Sequence, residues 1–289
     1  MTSDDEFPGV TRSSDVVLSW GLPRLRDLPW RHTRDPWAIL VSEVMLQQTQ
    51  VLRVIPKWLA FMDAFPTAGD CAAAPLGEVL RLWQGLGYPR RARDLQLAAG
   101  EVTRLGEFPS SLTELLALPG VGQYTARAVM AFAFEAQAAV VDTNIARVFA
   151  RVGGRALTAK QVQSAADQAV PPGMSWEWNQ CLMELGAMLC RPLPNCTKCP
   201  LAVTCAWRGI GPDPAVGSAG VSRTQPRFEG SERQARGRLL KALTVGAVSV
   251  DAARVLMAHP AAARLLVALC SEGLVHNDGD TVRLPEGQR

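Results

Sequence analysis

The chain has 289 residues, enough for one large domain or two modest ones, and 30 Lys+Arg against 27 Asp+Glu leave a formal charge of only +3. A hydrophobic fraction of 48% with 20% charged residues excludes global disorder, and the small net charge excludes a histone-like polycation, so any nucleic-acid contact has to come from local basic patches. No apolar run reaches the roughly 18 residues that span a bilayer, the acidic start MTSDDEFPGV is unlike a secretory signal, and the seven Cys are expected to be free thiols in the cytoplasm.

Apolar spacing predicts helices nearly throughout. Residues 37–65 read as a helix pair punctuated by Pro56 and Pro66, followed by helices at 76–86, ending at Gly87, and 90–105, ending near Gly106. Helices at 111–118 and 123–134 flank a tight Leu-Pro-Gly-Val-Gly turn at 118–122, and others are predicted at 143–152, 159–169 and 176–189. Residues 209–226, rich in Gly, Pro and Ser, read as a linker. Beyond it, helices at 231–245, 249–257 and 260–271 precede a β-hairpin around Asn277-Asp278-Gly279-Asp280, the outline of a small winged-helix-like module over 227–289. The expected fold class is all-α, because short connections between helices suit compact helix packing.

Four constellations carry chemistry. Cys190, Cys196, Cys199 and Cys205 are spaced C-x5-C-x2-C-x5-C, so four thiolates could wrap one metal centre. Structural zinc more often uses two separated C-x2-C knuckles; one central C-x2-C with longer arms better suits a [4Fe–4S] cube. Cys71, Cys181 and Cys270 stand alone in apolar helices as inert thiols. In the turn, Gly120 supplies the positive φ of a sharp reversal, and Gly122 lets the backbone approach a ligand at the start of the helix opening with Gln123. Unpaired N–H groups there suit a phosphate, although a plain helix–helix corner has the same residues.

The other two are carboxylates. Glu43 projects from an apolar helix face among Ile39, Leu40 and Leu46, where desolvation should raise its pKa and make it a general acid; most helix glutamates are merely solvated. Asp142 follows the apolar run 138–141 and stands at the N-cap of the next helix, whose N–H groups and dipole are expected to keep it ionised. One protonated and one ionised carboxylate is the pair that cleaves glycosidic bonds.

Ser42-Glu43-Val44-Met45-Leu46-Gln47-Gln48-Thr49-Gln50-Val51, Leu118 to Ala126, Val141-Asp142-Thr143-Asn144 and Cys190 to Cys205 together resemble the MutY-type adenine DNA glycosylases of the helix-hairpin-helix superfamily. Leu28-Pro29-Trp30-Arg31, Gly85-Leu86-Gly87-Tyr88 and Met183-Glu184-Leu185-Gly186-Ala187 fit as well, so the resemblance spans roughly residues 15–208. It implies a two-lobed, endonuclease III-like helical fold with a [4Fe–4S] loop. A six-helix domain would occupy 37–141, and 15–36 with 142–208 would form the cluster domain. It also implies excision of adenine mispaired with 8-oxoguanine or guanine in duplex DNA, the base being flipped out of the stack. Glu43 would protonate the base and Asp142, supported by Asn144, would stabilise the oxocarbenium-like sugar. Tyr124 would line the pocket where bifunctional relatives carry a Schiff-base lysine. Trp30, Arg31, Leu46, Val51 and Glu184 would shape the adenine site, and Gln48 and Tyr88 would fill the stack around the gap. The first gap of the cysteine cluster is one residue shorter than the family's usual six, and residues 227–289 are too few for the Nudix-like domain of better-known members.

Only four lysines occur (Lys57, Lys160, Lys198, Lys241), none near the hairpin, so a monofunctional glycosylase without an imine-forming amine is expected. From Arg191 to Lys241, nine basic residues face three acidic ones, and Arg90, Arg91 and Arg93 form a second basic group after Tyr88. Both suit phosphate contact, or a solvated helix face. The expected enzyme is a cytoplasmic monomer that associates with the nucleoid while bound to DNA, without a membrane partner. The alternatives are another mismatch or oxidised-base glycosylase on the same scaffold, such as a thymine glycosylase or an endonuclease III-like lyase, and a non-catalytic iron–sulfur DNA-binding protein.

Overall fold

The computed structural model describes residues 13–221 and 227–286. In chain order they form α1 (Ser14–Gly21), α2 (Pro36–Leu46), α3 (Val51–Ala64), α4 (Ala68–Ala73), α5 (Leu76–Trp83), α6 (Arg90–Leu105) and α7 (Leu112–Ala117). Then come α8 (Gln123–Phe132), α9 (Thr143–Gly153), α10 (Ala159–Ala169) and α11 (Ser175–Met188). The C-terminal part has α12 (Glu232–Leu243), β1 (Val248–Ser249), α13 (Val250–Met257), α14 (Ala262–Ser271), β2 (His276–Asn277) and β3 (Thr281–Arg283). The three short strands form an antiparallel sheet in the order β1-β3-β2, with Val282 opposite both Val248 and Asn277. Among the described residues, no single helix is long and apolar enough to cross a membrane.

The chain divides into two compact units. The first comprises residues 13–36, 110–113 and 122–221; the second comprises 37–109, 114–121 and 227–286. The first unit buries Val17, Leu18, Ile145, Phe149, Val162, Trp178, Leu182 and Leu185, contributed by α1, α9, α10 and α11. There α1 runs so close to α11 that a Cβ on Gly21 would sit 2.5 Å from Cys181 Sγ, so only glycine fits. The start of α10 is fixed locally: Thr158 and Gln161 cap each other's backbone N–H groups reciprocally.

The second unit is built on aromatic packing. Phe61 meets Trp37, Phe65 and Trp83 at centroid separations of 6.5, 5.0 and 6.3 Å, and such tilted and edge-on pairs add to the burial of the rings themselves. The indole N–H groups of Trp37 and Trp58 donate to Phe65 O and Ala38 O, both at 3.0 Å, so neither ring N–H is stranded in this core. The C-terminal residues belong to the same unit: Gly77 N donates to Pro285 O at 2.8 Å, where a Cβ on Gly77 would lie 2.5 Å from that oxygen.

Several elements differ from expectation. Pro56 lies inside α3 instead of breaking the chain; Leu52, whose carbonyl loses its helical donor, is 83% exposed. The break falls instead at 47–50, where Gln48 adopts φ +55°. Helices α1 and α4 are additional, and 248–249 is strand. Helix α8 groups with the cluster-bearing unit rather than with residues 37–121. Residues 209–221 of the expected linker pack onto the first unit: Asp213 pairs with Arg151, Ser218 Oγ accepts from Leu157 N, and Ala219 N donates to Leu157 O. The rest of that stretch, 222–226, and Arg223 of the basic group lie outside the described residues.

Candidate active site

Asp142 stands at the N-cap of α9. Its Oδ1 accepts from Ile145 N at 2.7 Å and its Oδ2 accepts from Asn144 Nδ2 at 2.8 Å. Burial nevertheless pushes the carboxyl above its ordinary range, while those hydrogen bonds and Arg147 pull the other way; desolvation outweighs the cap, contrary to the expectation from capping alone. One turn along α9, Arg147 donates to Asn144 Oδ1 (2.7 Å), Gly186 O (2.9 Å) and Cys190 O (2.5 Å). Asp142, Asn144, Arg147 and the first cysteine thus form one chain of contacts. Gly186 makes room for it, because a Cβ there would lie 2.4 Å from Asn144 Cβ.

Arg151, one turn further, is almost fully buried. It donates twice to Asp213, at 3.0 and 2.6 Å, and also to Arg191 O and Pro192 O, under the ring of Trp207. Its Nη1 approaches Cys190 Sγ at 3.4 Å, and Arg208 N approaches Cys205 Sγ at the same distance. Cys190, Cys196, Cys199 and Cys205 are all free and line one apolar pocket with Leu185 and Leu201. Among the described residues no three ligating side chains converge on a single ion. Gly209, at φ +80°, leaves the space beside Cys196 Sγ that a Cβ would occupy at 3.3 Å. Four thiols with N–H donors aimed at two sulfurs, spread around a pocket, fit a group larger than one metal ion. Burial raises the Cys199 thiol to about 11 and the lone Cys71 and Cys181 thiols to about 12, the latter two being fully buried and inert.

Trp30 and Arg31 lie buried in a 3-10 turn, Pro29–His32. Arg31 pairs with Glu184 at 2.8 Å and donates to Gln180 Oε1 at 2.8 Å, while Arg26 Nε reaches both Glu184 oxygens at 2.9 Å. Glu184, wholly buried, therefore fixes this turn onto α11. Tyr124 is half-buried on α8. The turn preceding α8 has Gly120 at φ +74°, where a Cβ would lie 2.7 Å from Asp94 Cβ. Gly122 caps α8 with no side-chain hydrogen bond and open space around it, and Gln123 is exposed beside it, as a ligand-approach site requires.

The second unit holds Glu43, Leu46, Gln48, Val51 and Tyr88. Residues 37–45 of α2 are all buried, and Glu43, only 4% exposed, is their one carboxylate; a buried carboxyl in an apolar helix is the informative exception. Leu46 and Val51 are half-buried and Gln48 is exposed. Arg91 points inward, with Nη1 donating to Val44 O (2.7 Å) and Gln47 O (2.6 Å) and Nη2 to Leu86 O (3.0 Å) and Gly87 O (3.1 Å). The second basic group is thus committed to structure, since Arg90 and Arg93 reach Glu272.

The HhH-GPD superfamily base excision DNA repair family matches residues 41–172. The adenine DNA glycosylase of Mycolicibacterium smegmatis is 42% identical over 278 residues, covering 91% of this chain and 92% of that protein. The chain belongs to the adenine DNA glycosylase family. A thermostable thymine-DNA glycosylase matches with TM-score 0.64 and 31% identity over 70% of this chain and 97% of its own. A non-covalent endonuclease III–DNA complex matches with TM-score 0.62 and 25% identity, over 72% and 98%. The match to the mycobacterial adenine DNA glycosylase covers more of this chain than lies before Arg227, so this family member shares part of its C-terminal module with that relative.

For an adenine DNA glycosylase, the residues that sequence reasoning missed are Arg147 and Arg151; Gly186 and Arg91 were singled out by motif and by charge, but not for the packing against Asn144 and the inward hydrogen bonds that they make. The available signal was spacing: Asn144, Arg147 and Arg151 recur at helical intervals behind Asp142, on an α9 whose residues 145–152 are all buried.

Proposed function

We propose that this glycosylase removes adenine mispaired with 8-oxoguanine or guanine from duplex DNA, by flipping the base and hydrolysing its N-glycosidic bond. The observation that carries the reading is the Asp142 carboxylate, held by Ile145 N–H and the Asn144 amide in a largely dehydrated setting. In that setting an anion acts strongly on a cationic sugar. Glu43, buried in an apolar helix of the other unit, is the group suited to protonate the departing base. Tyr124 replaces an amine, so water completes the hydrolysis and borohydride traps no covalent adduct in good yield. Cys190, Cys196, Cys199 and Cys205 would hold a [4Fe–4S] cluster, which supplies a rigid cross-link for the loop presenting Arg191 and Lys198 to phosphate.

The test is single-turnover base release from duplexes with adenine opposite 8-oxoguanine, adenine opposite guanine, and thymine opposite guanine. Adenine loss is expected, falling roughly 10²- to 10⁴-fold in Glu43→Gln. Thymine loss without adenine loss would transfer the reading to the thymine glycosylase that shares this fold. Tight binding with no base loss would leave a DNA-binding protein.

A further inference from the structure

The chain reaches Asp142 through residues 137–141, a stretch outside regular structure between α8 and α9 in which Ala138, Ala139 and Val140 are buried. Buried backbone has to find partners for its N–H and C=O groups, yet among the described residues no backbone–backbone hydrogen bond involves 137–141. Side chains from two helices supply them instead. From α11, Ser175 Oγ donates to Ala138 O at 2.9 Å and accepts from Ala138 N at 3.3 Å. Asn179 donates through Nδ2 to the same carbonyl at 2.9 Å and accepts from Val140 N through Oδ1 at 2.8 Å. From α10, Gln163 Nε2 donates to Ala139 O at 3.2 Å, and Asp167 Oδ1 accepts from Ala139 N at 3.3 Å. Five consecutive main-chain groups, from Ala138 N to Val140 N, are each held by a side chain.

Asn179 is the centre of this clamp. It is 1% exposed, and its Nδ2 also donates to Ser175 O at 2.7 Å. Asparagine is a poor helix former, and a buried amide is costly unless bonded; its place inside α11 is explained by the stretch it holds. The same helix meets the chain on the other side of Asp142. Gly186 lies two turns beyond Asn179, and a Cβ there would sit 2.4 Å from Asn144 Cβ. The α10 arm is anchored in turn, because Asp167 also accepts from Arg127 on α8 at 2.7 Å. The N-cap bonds tie the carboxylate of Asp142 to α9, and the clamp fixes the backbone that delivers it.

We propose that Asn179, with Ser175, Gln163 and Asp167, is a positioning device for Asp142, setting where the carboxylate stands against the sugar cation that develops as the base departs. The proposal rests on the glycosylase reading above, in which Asp142 faces that cation. An anion stabilises a developing charge only where it is already in place, because moving it during the reaction would consume the gain. A displacement of about 1 Å at a reacting group costs on the order of 100-fold in rate. A short stretch whose main-chain groups are all claimed by two packed helices has no freedom to make such a shift.

The test measures the affinity of the full chain for two duplexes. One carries a cationic pyrrolidine abasic analogue opposite 8-oxoguanine, and the other carries its neutral tetrahydrofuran counterpart. The ratio of the two affinities reads the anion placed against the sugar, without any turnover. Wild type is expected to prefer the cation and Asp142→Asn to lose that preference. Asn179→Ala should lower the ratio about tenfold and slow single-turnover adenine release roughly 10- to 100-fold, with affinity for the neutral duplex unchanged. Gln163→Ala removes a half-buried member of the α10 arm and should move ratio and rate in the same direction by a smaller factor. It keeps the test decisive if Asn179→Ala does not fold, which the unfolding temperatures of both variants show. A merely structural role would weaken both affinities alike and leave the ratio intact; an unchanged ratio in the variants that fold overturns the proposal. A wild type without preference for the cation, matched by Asp142→Asn, would overturn the reading of Asp142 itself, and the proposal with it.

Discussion

At the residue scale, Asp142 sets a pH signature. A carboxyl whose folded pKa is raised gains its proton more readily folded than unfolded, so its contribution to stability grows as pH falls through that pKa, while a reaction needing the anion is lost there. Single-turnover excision should therefore show an acid limb above the ordinary carboxylate value of about 4. The difference in unfolding free energy between wild type and Asp142→Asn should move in the opposite direction over the same range. An acid limb at or below that ordinary value would contradict the dehydrated site. Gly186→Ala forces a methyl into Asn144. Overpacking of this kind costs roughly 1–3 kcal/mol; the strain falls on the group holding Asp142, so excision should drop at least about tenfold while far-ultraviolet circular dichroism stays unchanged.

At the element scale, the turn before α8 is the place to perturb. Gly120→Ala meets both a left-handed backbone and Asp94 Cβ at 2.7 Å, which together cost roughly 1–3 kcal/mol. The reversal that presents Gly122 and the α8 N-terminus would distort. Affinity for duplex DNA should fall several-fold for matched and mismatched sequences alike, which gel-shift or anisotropy titration would read. Features of this kind were legible beforehand because they are local. The Leu118–Gly122 turn, the Asp142 cap and the Gly106 helix end each need only residues a few positions apart. Helix α4 was missed although Thr67 and Asp70 form a capping box, because its small residues carry no apolar stripe. The partners of the arginines, unlike their spacing, were beyond reach for a different reason. Arg151 finds Asp213 and Arg90 finds Glu272 across long stretches of chain, and no periodicity records such a pairing.

At the scale of the whole molecule, Glu272 ties the C-terminal residues to the rest of the second unit. Burial alone would raise its pKa, yet Arg236 and Arg90 hold it down at about 2. A depressed carboxylate contributes stability that is complete above its unfolded value, near 4.5, and is lost as pH falls towards 2. Glu272→Gln removes the anion shared by Arg236, 20% exposed, and the more exposed Arg90, and should cost roughly 1–3 kcal/mol at neutral pH, the range for hydrogen bonds to charged groups. The variant's deficit should vanish in acid, as urea unfolding at both pH values would show; a deficit independent of pH would rule out the ion pairs as its source.

The interruption of the first unit by residues 37–109 has a consequence for how the protein is made. Helix α1 leaves the ribosome early, but α11, whose Cys181 packs on Gly21, follows 160 residues later. At roughly 5–20 residues per second, that is a wait on the order of ten seconds. Until then Val17 and Leu18 lack the α11 side chains of their core, and the four thiols of 190–205 are synthesised only after that contact becomes possible. Synonymous codons that slow translation between residues 37 and 174 should therefore lower the soluble yield without changing a single amino acid.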